Sequence, residues 1–349
     1  MGISNESLAN YLSWLDQQAH LNGVRREGSS LNFSVDPAVQ QRLEKAKMEN
    51  SPFLKQINSF GVTDQEGQKV FGSVNGPIAG TNDSTTERRQ PEQVNEENSD
   101  DYRCDKTNWD TFIPYSWLDA WAGHPEFQPM ISQLIAQQEA NDRLMIGFNG
   151  VKRVKKSNKI ENPLLQDVNI GWLQKIRNAA PQRVMKDVTL TSRDENGKII
   201  AKGMYANVDA MVFDAVNSLL DPWHRRAQGL VAITGYQLYT DKNFKIMNQH
   251  SEQNPNMEML AGNELLKLSS MGNLPTLQVP FFPDGATLIT TFKNLSVYWQ
   301  KGKYRRVIKD EPEYNRVATY SSGNEGYVIE DYGLSCLIEG INYAESKEI

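Results

Sequence analysis

SWLDAWAGHPEFQPMISQLIAQQEANDRLMIGFNG, residues Ser116–Gly150, decides how the rest of the chain is read. From Pro125 onward, Phe127, Met130, Ile131, Leu134, Ile135, Gln138, Met145 and Phe148 recur at three- and four-residue steps. That spacing lays one long apolar stripe down a helix of about five turns. The stretch opens on a Trp-rich turn, with Trp117 and Trp121 ahead of Gly123. It closes at Gly147 and Asn149-Gly150, residues that take the left-handed or turn backbone on which helices end. The stripe predicts a core helix whatever the function.

Toward the N-terminus, Leu8, Tyr11, Leu12 and Leu15 share one face of a short amphipathic helix over residues 3–22, closed by Asn22-Gly23. VRREGSSLN, Val24–Asn32, has the composition of an exposed linker within reach of a protease, so what precedes it reads as a detachable element. Asp36 and Pro37 then supply an N-cap and a first helical position. The helix they start, with Val39, Leu43 and Ala46, has a thin apolar stripe and reads as an arm ending near Ser51-Pro52. After the apolar run Phe53–Phe60 the composition changes. Residues 61–110 hold eleven acidic against five basic residues and glycines at 61, 67, 72, 76 and 80. A span of that length without its own core is functional or disordered. The strand-like QKVFGSV and YRCDKTNWDTFIPY at its ends predict a projecting hairpin loop, stabilised by a neighbour.

Toward the C-terminus, VKRVKKSNK (Val151–Lys159) carries five basic residues, Lys152, Arg153, Lys155, Lys156 and Lys159, and no acid. Such a run is either a patch touching phosphate or an acidic neighbour, or a solvated loop, and the run alone leaves both open. Residues 162–180 read as a loop and then a helix with Trp172, Leu173 and Ile176 on one side. Residues 182–204 are turn-rich, with a hairpin tip at 195–197. Val208, Met211, Val212, Ala215, Val216, Leu219 and Leu220 form the cleanest amphipathic pattern, stopped by Asp221-Pro222. LVAITG at 230–235 predicts a buried strand, residues 237–249 and 257–268 helices, and LPTLQVPFFP an extended edge segment. The last sixty residues are mostly strand signals; pairing back onto the first part of the chain would make that part discontinuous. The fold class is α+β.

The 349 residues suffice for two ordinary domains, or for one core with large excursions. Hydrophobic residues at 39% and a mean hydropathy of -0.58 place much of the chain at the surface, in extended loops or against other subunits. A net charge of -6 and a pI near 5.4 argue against tight wrapping of nucleic acid. No stretch resembles a signal peptide or a membrane span, so no membrane partner is expected. Cys104 and Cys336 stand far apart and read as reduced thiols. His20, His124, His224 and His250 lack the spacing that puts two imidazoles on one metal. There is no GxSxG elbow, and Gly72, Gly76 and Gly80 lack the Lys-Ser/Thr of a phosphate-binding loop. Glu330-Asp331 and Glu96-Glu97 are sequence neighbours that a strand would point to opposite faces. No catalytic, cofactor or metal site is therefore expected. The alternative, a cytosolic enzyme using the acidic loop as a lid, would need a clustered site that the sequence does not supply.

FNGVKR (148–153), NPLLQDVNIGWLQK (162–175), APQRVM (180–185), ERRQP (87–91), YRCDKTNWD (102–110), GNLPTLQVPFFP (272–283), NLSVYW (294–299), RRVI (305–308) and VIEDYGLSCLIE (328–339) run in collinear order over nearly the whole chain. Together they resemble the major capsid protein of P-two-like tailed temperate phages. The resemblance implies the Hong Kong 97-like capsid fold, with a propeptide-like segment at 1–33, an N-terminal arm at 34–60 and an extended loop at 61–105. It implies a peripheral domain built on the long spine helix at 106–205 and 293–349, and an axial domain at 206–292. It also implies self-assembly into hexamers and pentamers, proteolytic maturation near Phe33-Ser34, and partners in an internal scaffold, a maturation protease, portal and head-completion proteins and weakly contacted packaged DNA. The lysine-asparagine cross-link of some relatives has no matching local pattern, so the shell is expected to be non-covalent.

Overall fold

The computed structural model describes residues 5–21, 31–69, 79–81, 85, 88, 91, 101–120, 127–194, 198–239 and 270–345. The helix expected at 257–268, most of the one expected at 237–249, the tip at 195–197, Trp121, and all but the start of QKVFGSV lie outside them.

In chain order, α1 (Asn5–Leu21) leads to β1 (Leu31–Ser34) and α2 (Pro37–Glu49). Asp36 caps α2, its side chain accepting from the Ala38 amide at 2.8 Å, with Pro37 behind it. β2 (Asn58–Val62), β3 (Glu66–Gly67), β4 (Tyr102–Arg103) and β5 (Asp105–Pro114) follow, and β3 pairs antiparallel with β4. Trp117 sits in a short helix, α3 (Tyr115–Ala120), and not in the expected turn; α4 (Phe127–Asn149) is the long helix. α5 (Trp172–Ala179), β6 (Val184–Lys186), β7 (Thr189–Leu190), β8 (Ser192–Arg193) and β9 (Ile199–Ala201) precede α6 (Val208–Leu219). Asn207 caps α6 by accepting from the Ala210 amide at 2.9 Å. The strands β10 (Leu230–Thr234), β11 (Ser270–Met271), β12 (Leu274–Gln278), β13 (Thr287–Thr291) and β14 (Leu295–Gln300) come next. The last are β15 (Arg305–Glu311), β16 (Arg316–Ile329), β17 (Cys336–Glu339) and β18 (Asn342–Tyr343).

The chain divides into two compact units, each discontinuous in sequence. The first contains Met1–Gly67, Tyr102–Arg143 and Val297–Tyr327. Its sheet runs β1-β15-β16-β14-β2, with β5 also paired to β16, from Arg316↔Pro114 to Glu325↔Asp105. Its apolar core is closed by α1. Tyr11, Leu15 and Ala19, at helical four-residue steps, pack with Leu31, Val35, Trp109, Tyr115, Leu118, Tyr304, Ile308 and Val317. Leu15 is fully buried, and the three α1 side chains together contribute roughly 4–6 kcal/mol of transfer free energy.

The second unit contains Gln68–Asp101, Leu144–Ser296 and Val328–Ile349. Its sheet runs β11-β12-β10-β13-β17-β6, so β12 lies inside the sheet, flanked by a two-residue strand, and not at the edge the sequence suggested. α6 covers it: Val208, Met211, Val212, Ala215 and Val216 are buried with Leu230, Ala232, Ile289, Cys336 and Ile338.

Two helices bury faces other than those expected. In α4 the C-terminal half is core, with Ala140, Leu144, Ile146 and Phe148 buried, while Met130 and Leu134 are 43% and 54% exposed. α2 exposes Ala46 and half-buries Val39 and Leu43; its inward face is Gln40, Glu44, Lys47 and Met48. The thin stripe is thin because α2 docks through polar groups that find charged partners.

Candidate assembly surfaces and processing segment

Those partners form a buried charge cluster within the first unit. Lys47 Nζ lies 2.8 Å from Glu139 and 3.4 Å from Glu44. Arg143 reaches Glu325 through Nε at 3.0 Å and Nη2 at 2.8 Å, and Glu44 through Nη2. None of the five side chains is more than 8% exposed. The Lys47 ammonium also stands 4.6 Å from the centre of the Trp109 ring and 4.7 Å from that of Tyr304, over faces that attract a cation. Burial acts to raise the Glu44 carboxyl, but Arg143 and Lys47 beside it outweigh that and hold it below its usual value. For Glu325 burial wins: with Glu44 adding to it and Arg143 only partly offsetting it, the carboxyl is pushed up. Sequence reasoning missed this cluster because its partners are 99 and 182 residues apart.

The expected processing bond, Phe33-Ser34, lies in β1, at the edge of the first unit's sheet. Phe33 stands opposite Arg306 and Ser34 opposite Arg305. The strand is pinned on either side, by Leu31, which is 1% exposed, and by the Val35 amide donating to the Tyr304 carbonyl at 3.1 Å. An extended edge strand has the backbone shape a protease cleft accepts, but this one must first leave β15.

The basic run follows α4 directly, and Lys152, Arg153, Lys155, Lys156 and Lys159 are all exposed. The loop is shaped from beneath. The Val151 and Lys152 amides donate to the Gln166 carbonyl, the Val154 amide donates to the Asp167 carbonyl, and the Asn158 amide donates to the buried Asp167 carboxylate at 2.8 Å. Arg153 Nη1 donates to the Val168 carbonyl at 3.2 Å. The end of α4 is fixed by close packing: Phe148 lies edge-on to Trp172 and Phe282, and the Trp172 indole donates to the Ser296 carbonyl at 3.0 Å. A methyl added at Gly147 would come 2.2 Å from the Trp172 ring. Gly147→Ala is therefore expected to cost about 1–3 kcal/mol, read as a lower urea midpoint; an unchanged midpoint would show that the ring yields.

Exposed apolar groups are numerous for one chain. In the first unit Phe112, Trp117 and Tyr314 are each more than half exposed. The Arg316 guanidinium is held between Phe112 and Tyr314, 4.8 and 4.7 Å from the ring centres, and Glu311 pairs with it at 2.8 Å. Rigid aromatic and arginine groups of this kind are typical anchors of protein interfaces.

Cys104 and Cys336 are buried and unbridged, and burial pushes the Cys336 thiol up to about 12, which removes any nucleophilic thiolate. His224 contacts Asp331 at 2.9 Å, His20 is exposed, and His124 and His250 lie outside the described residues. Among the described residues no group of His, Cys, Asp and Glu could hold a metal ion, and no helix is long and apolar enough to cross a membrane.

Residues 10–341 match the family described as phage major capsid protein, P2 family. The chain is 51% identical over 345 residues to the major capsid protein of Serratia phage KSP20, covering 99% of this chain and 98% of that protein. It is 42% identical over 352 residues to the capsid proteins of Escherichia phage P2, covering 98% of this chain and 96% of that protein. Among solved structures, the satellite phage P4 procapsid including size determination (Sid) protein contains a chain that is 39% identical. The TM-score is 0.78, and the match covers 96% of this chain and 99% of that one.

Proposed function

The chain belongs to the P2 family of phage major capsid proteins, and from that premise we propose how it builds its shell. Its role is structural, as the major capsid protein of a tailed phage and a component of the virion, and its fold is the α+β, Hong Kong 97-like capsid fold. The alternative of a cytosolic enzyme with an acidic lid has no support among these relatives. The observation that carries the reading is the agreement, end to end, with a chain taken from an assembled procapsid.

In the proposed assembly residues 34–60 form the arm, 61–105 the extended loop, 106–205 with 293–349 the peripheral domain and 206–292 the axial domain. Copies associate as hexamers and pentamers, a geometry in which many modest contacts add. The exposed Met130, Leu134, Phe112 and Tyr314 support neighbour contacts in the assembled state. An internal scaffold, a maturation protease, and portal and head-completion proteins complete the partner set. Cleavage between Phe33 and Ser34 removes α1 and most of β1 after assembly. Losing part of a core cannot be reversed by refolding, so the step commits the shell to its mature form. Intact-mass measurement of the major protein of purified virions is expected to give a chain beginning at Ser34. A chain beginning at Met1 or Gly2 contradicts the processing.

The basic run contacts packaged DNA or the acidic loop of a neighbour. Lys152→Glu combined with Lys155→Glu is expected to leave shells that form but fill poorly if the contact is with DNA. Failure to form shells assigns the run to the neighbour, and wild-type filling leaves it as a solvated loop. DNA packaging assays with electron microscopy distinguish the three.

A further inference from the structure

The cluster that docks α2 does not balance. Three carboxylates, Glu44, Glu139 and Glu325, meet two cations, Lys47 and Arg143, with all five side chains buried. A net buried charge is costly, and proteins relieve it by taking up a proton. Glu44 faces both cations, and Glu139 faces Lys47 at 2.8 Å. Glu325 faces Arg143, which it shares with Glu44. The Arg143 Nη1 atom, which would complete a second ion pair, is buried without a hydrogen-bond partner.

Further titratable groups face Glu325 and its neighbours. The Tyr327 hydroxyl donates to it at 3.4 Å from the same strand, and Asp142 of α4 lies near enough to act on Tyr327. From β5, Asp105 stands opposite Glu325 in register, itself paired to Arg103 at 3.2 Å. Trp109 and Tyr304 close the Lys47 side.

We propose that this cluster is a proton-held latch: a single proton resident on Glu325 keeps α2 fastened to α4 and β16, and its loss loosens α2. The direction of the Glu325 carboxyl, raised by burial, agrees with the charge count. For a group raised in the folded state, the stabilising contribution is complete below its unfolded value and disappears as pH rises through the folded one. Glu44, held low, works at the other end, its contribution being lost in acid. α2 therefore loosens on the alkaline side through Glu325.

Hydrogen exchange of residues 37–49 in the full chain, corrected for intrinsic rates, tests this from about pH 6 to about pH 9. The wild type is expected to open about tenfold more per pH unit while pH lies below the raised folded-state value of Glu325, and to level off above it. Glu325→Gln is expected to open equally at every pH. An unchanged slope in Glu325→Gln, or a flat wild type, overturns the proposal. Should Glu325→Gln fail to fold, Glu139→Gln, which makes the remaining charges balance, is expected to be flat as well, and a wild-type slope there overturns it equally.

Discussion

Arg143→Met is expected to lower the stability of the full chain by about 3–5 kcal/mol, the largest effect of any single substitution considered. Arg143 is 1% exposed at its side chain and joins Glu44 on α2 to Glu325 on β16. Methionine leaves the Glu44 and Glu325 carboxyl groups buried beside an apolar side chain, and of the two only Glu44 keeps an ion pair, with Lys47 at 3.4 Å. Domains of ordinary stability have only about 5–15 kcal/mol in total, so much of the variant is expected to be insoluble on expression. Adding Glu44→Gln, with Glu325 already carrying its proton, removes the stranded charge and is expected to restore most of the loss, as replacement of whole buried ion networks does elsewhere. Urea unfolding of the three proteins measures this. An Arg143→Met midpoint equal to that of the wild type would mean that the cluster is hydrated and weak.

The second large effect concerns α1 and depends on when it is measured. Leu15→Ala is expected to cost about 2–5 kcal/mol in the uncleaved chain, because Leu15 is fully buried among Trp109, Tyr115, Leu118 and Ile308. In shells processed at Phe33-Ser34 the position is gone, so mature particles from the variant should melt with those of the wild type. A defect that persists in mature shells would show that α1 is retained. Thermal unfolding of the free chain and of purified particles gives both readings. The segment that the sequence marked as detachable is thus built into the core of the first unit, so the proposed cleavage would uncover apolar surface.

The two parts of that reading differ in how far a pattern can carry. α1 and α6 were legible because each buries an apolar stripe within its own chain, at spacings a sequence displays directly. β10 was legible for the same reason, its five residues all being buried. α2 was not, since its inward face is Gln40, Glu44, Lys47 and Met48, and apolar periodicity carries no record of a charge partner 99 residues away. The N-terminal half of α4 shows the converse. Met130 and Leu134 follow the stripe but remain exposed, because the pattern reports a face meant to be covered and not which molecule covers it. At the site level, the basic run was plain in composition, whereas the hydrogen bonds of Gln166 and Asp167 that shape it depend on a chain reversal no local motif announces.

The most direct test of the shell-forming role is electron microscopy with sedimentation of two purified proteins, the full chain and residues 34–349, each expressed with and without the phage's own scaffold. Closed shells, or rings of capsomers, in at least one condition are the predicted result. A homogeneous monomer or dimer in every condition would contradict it.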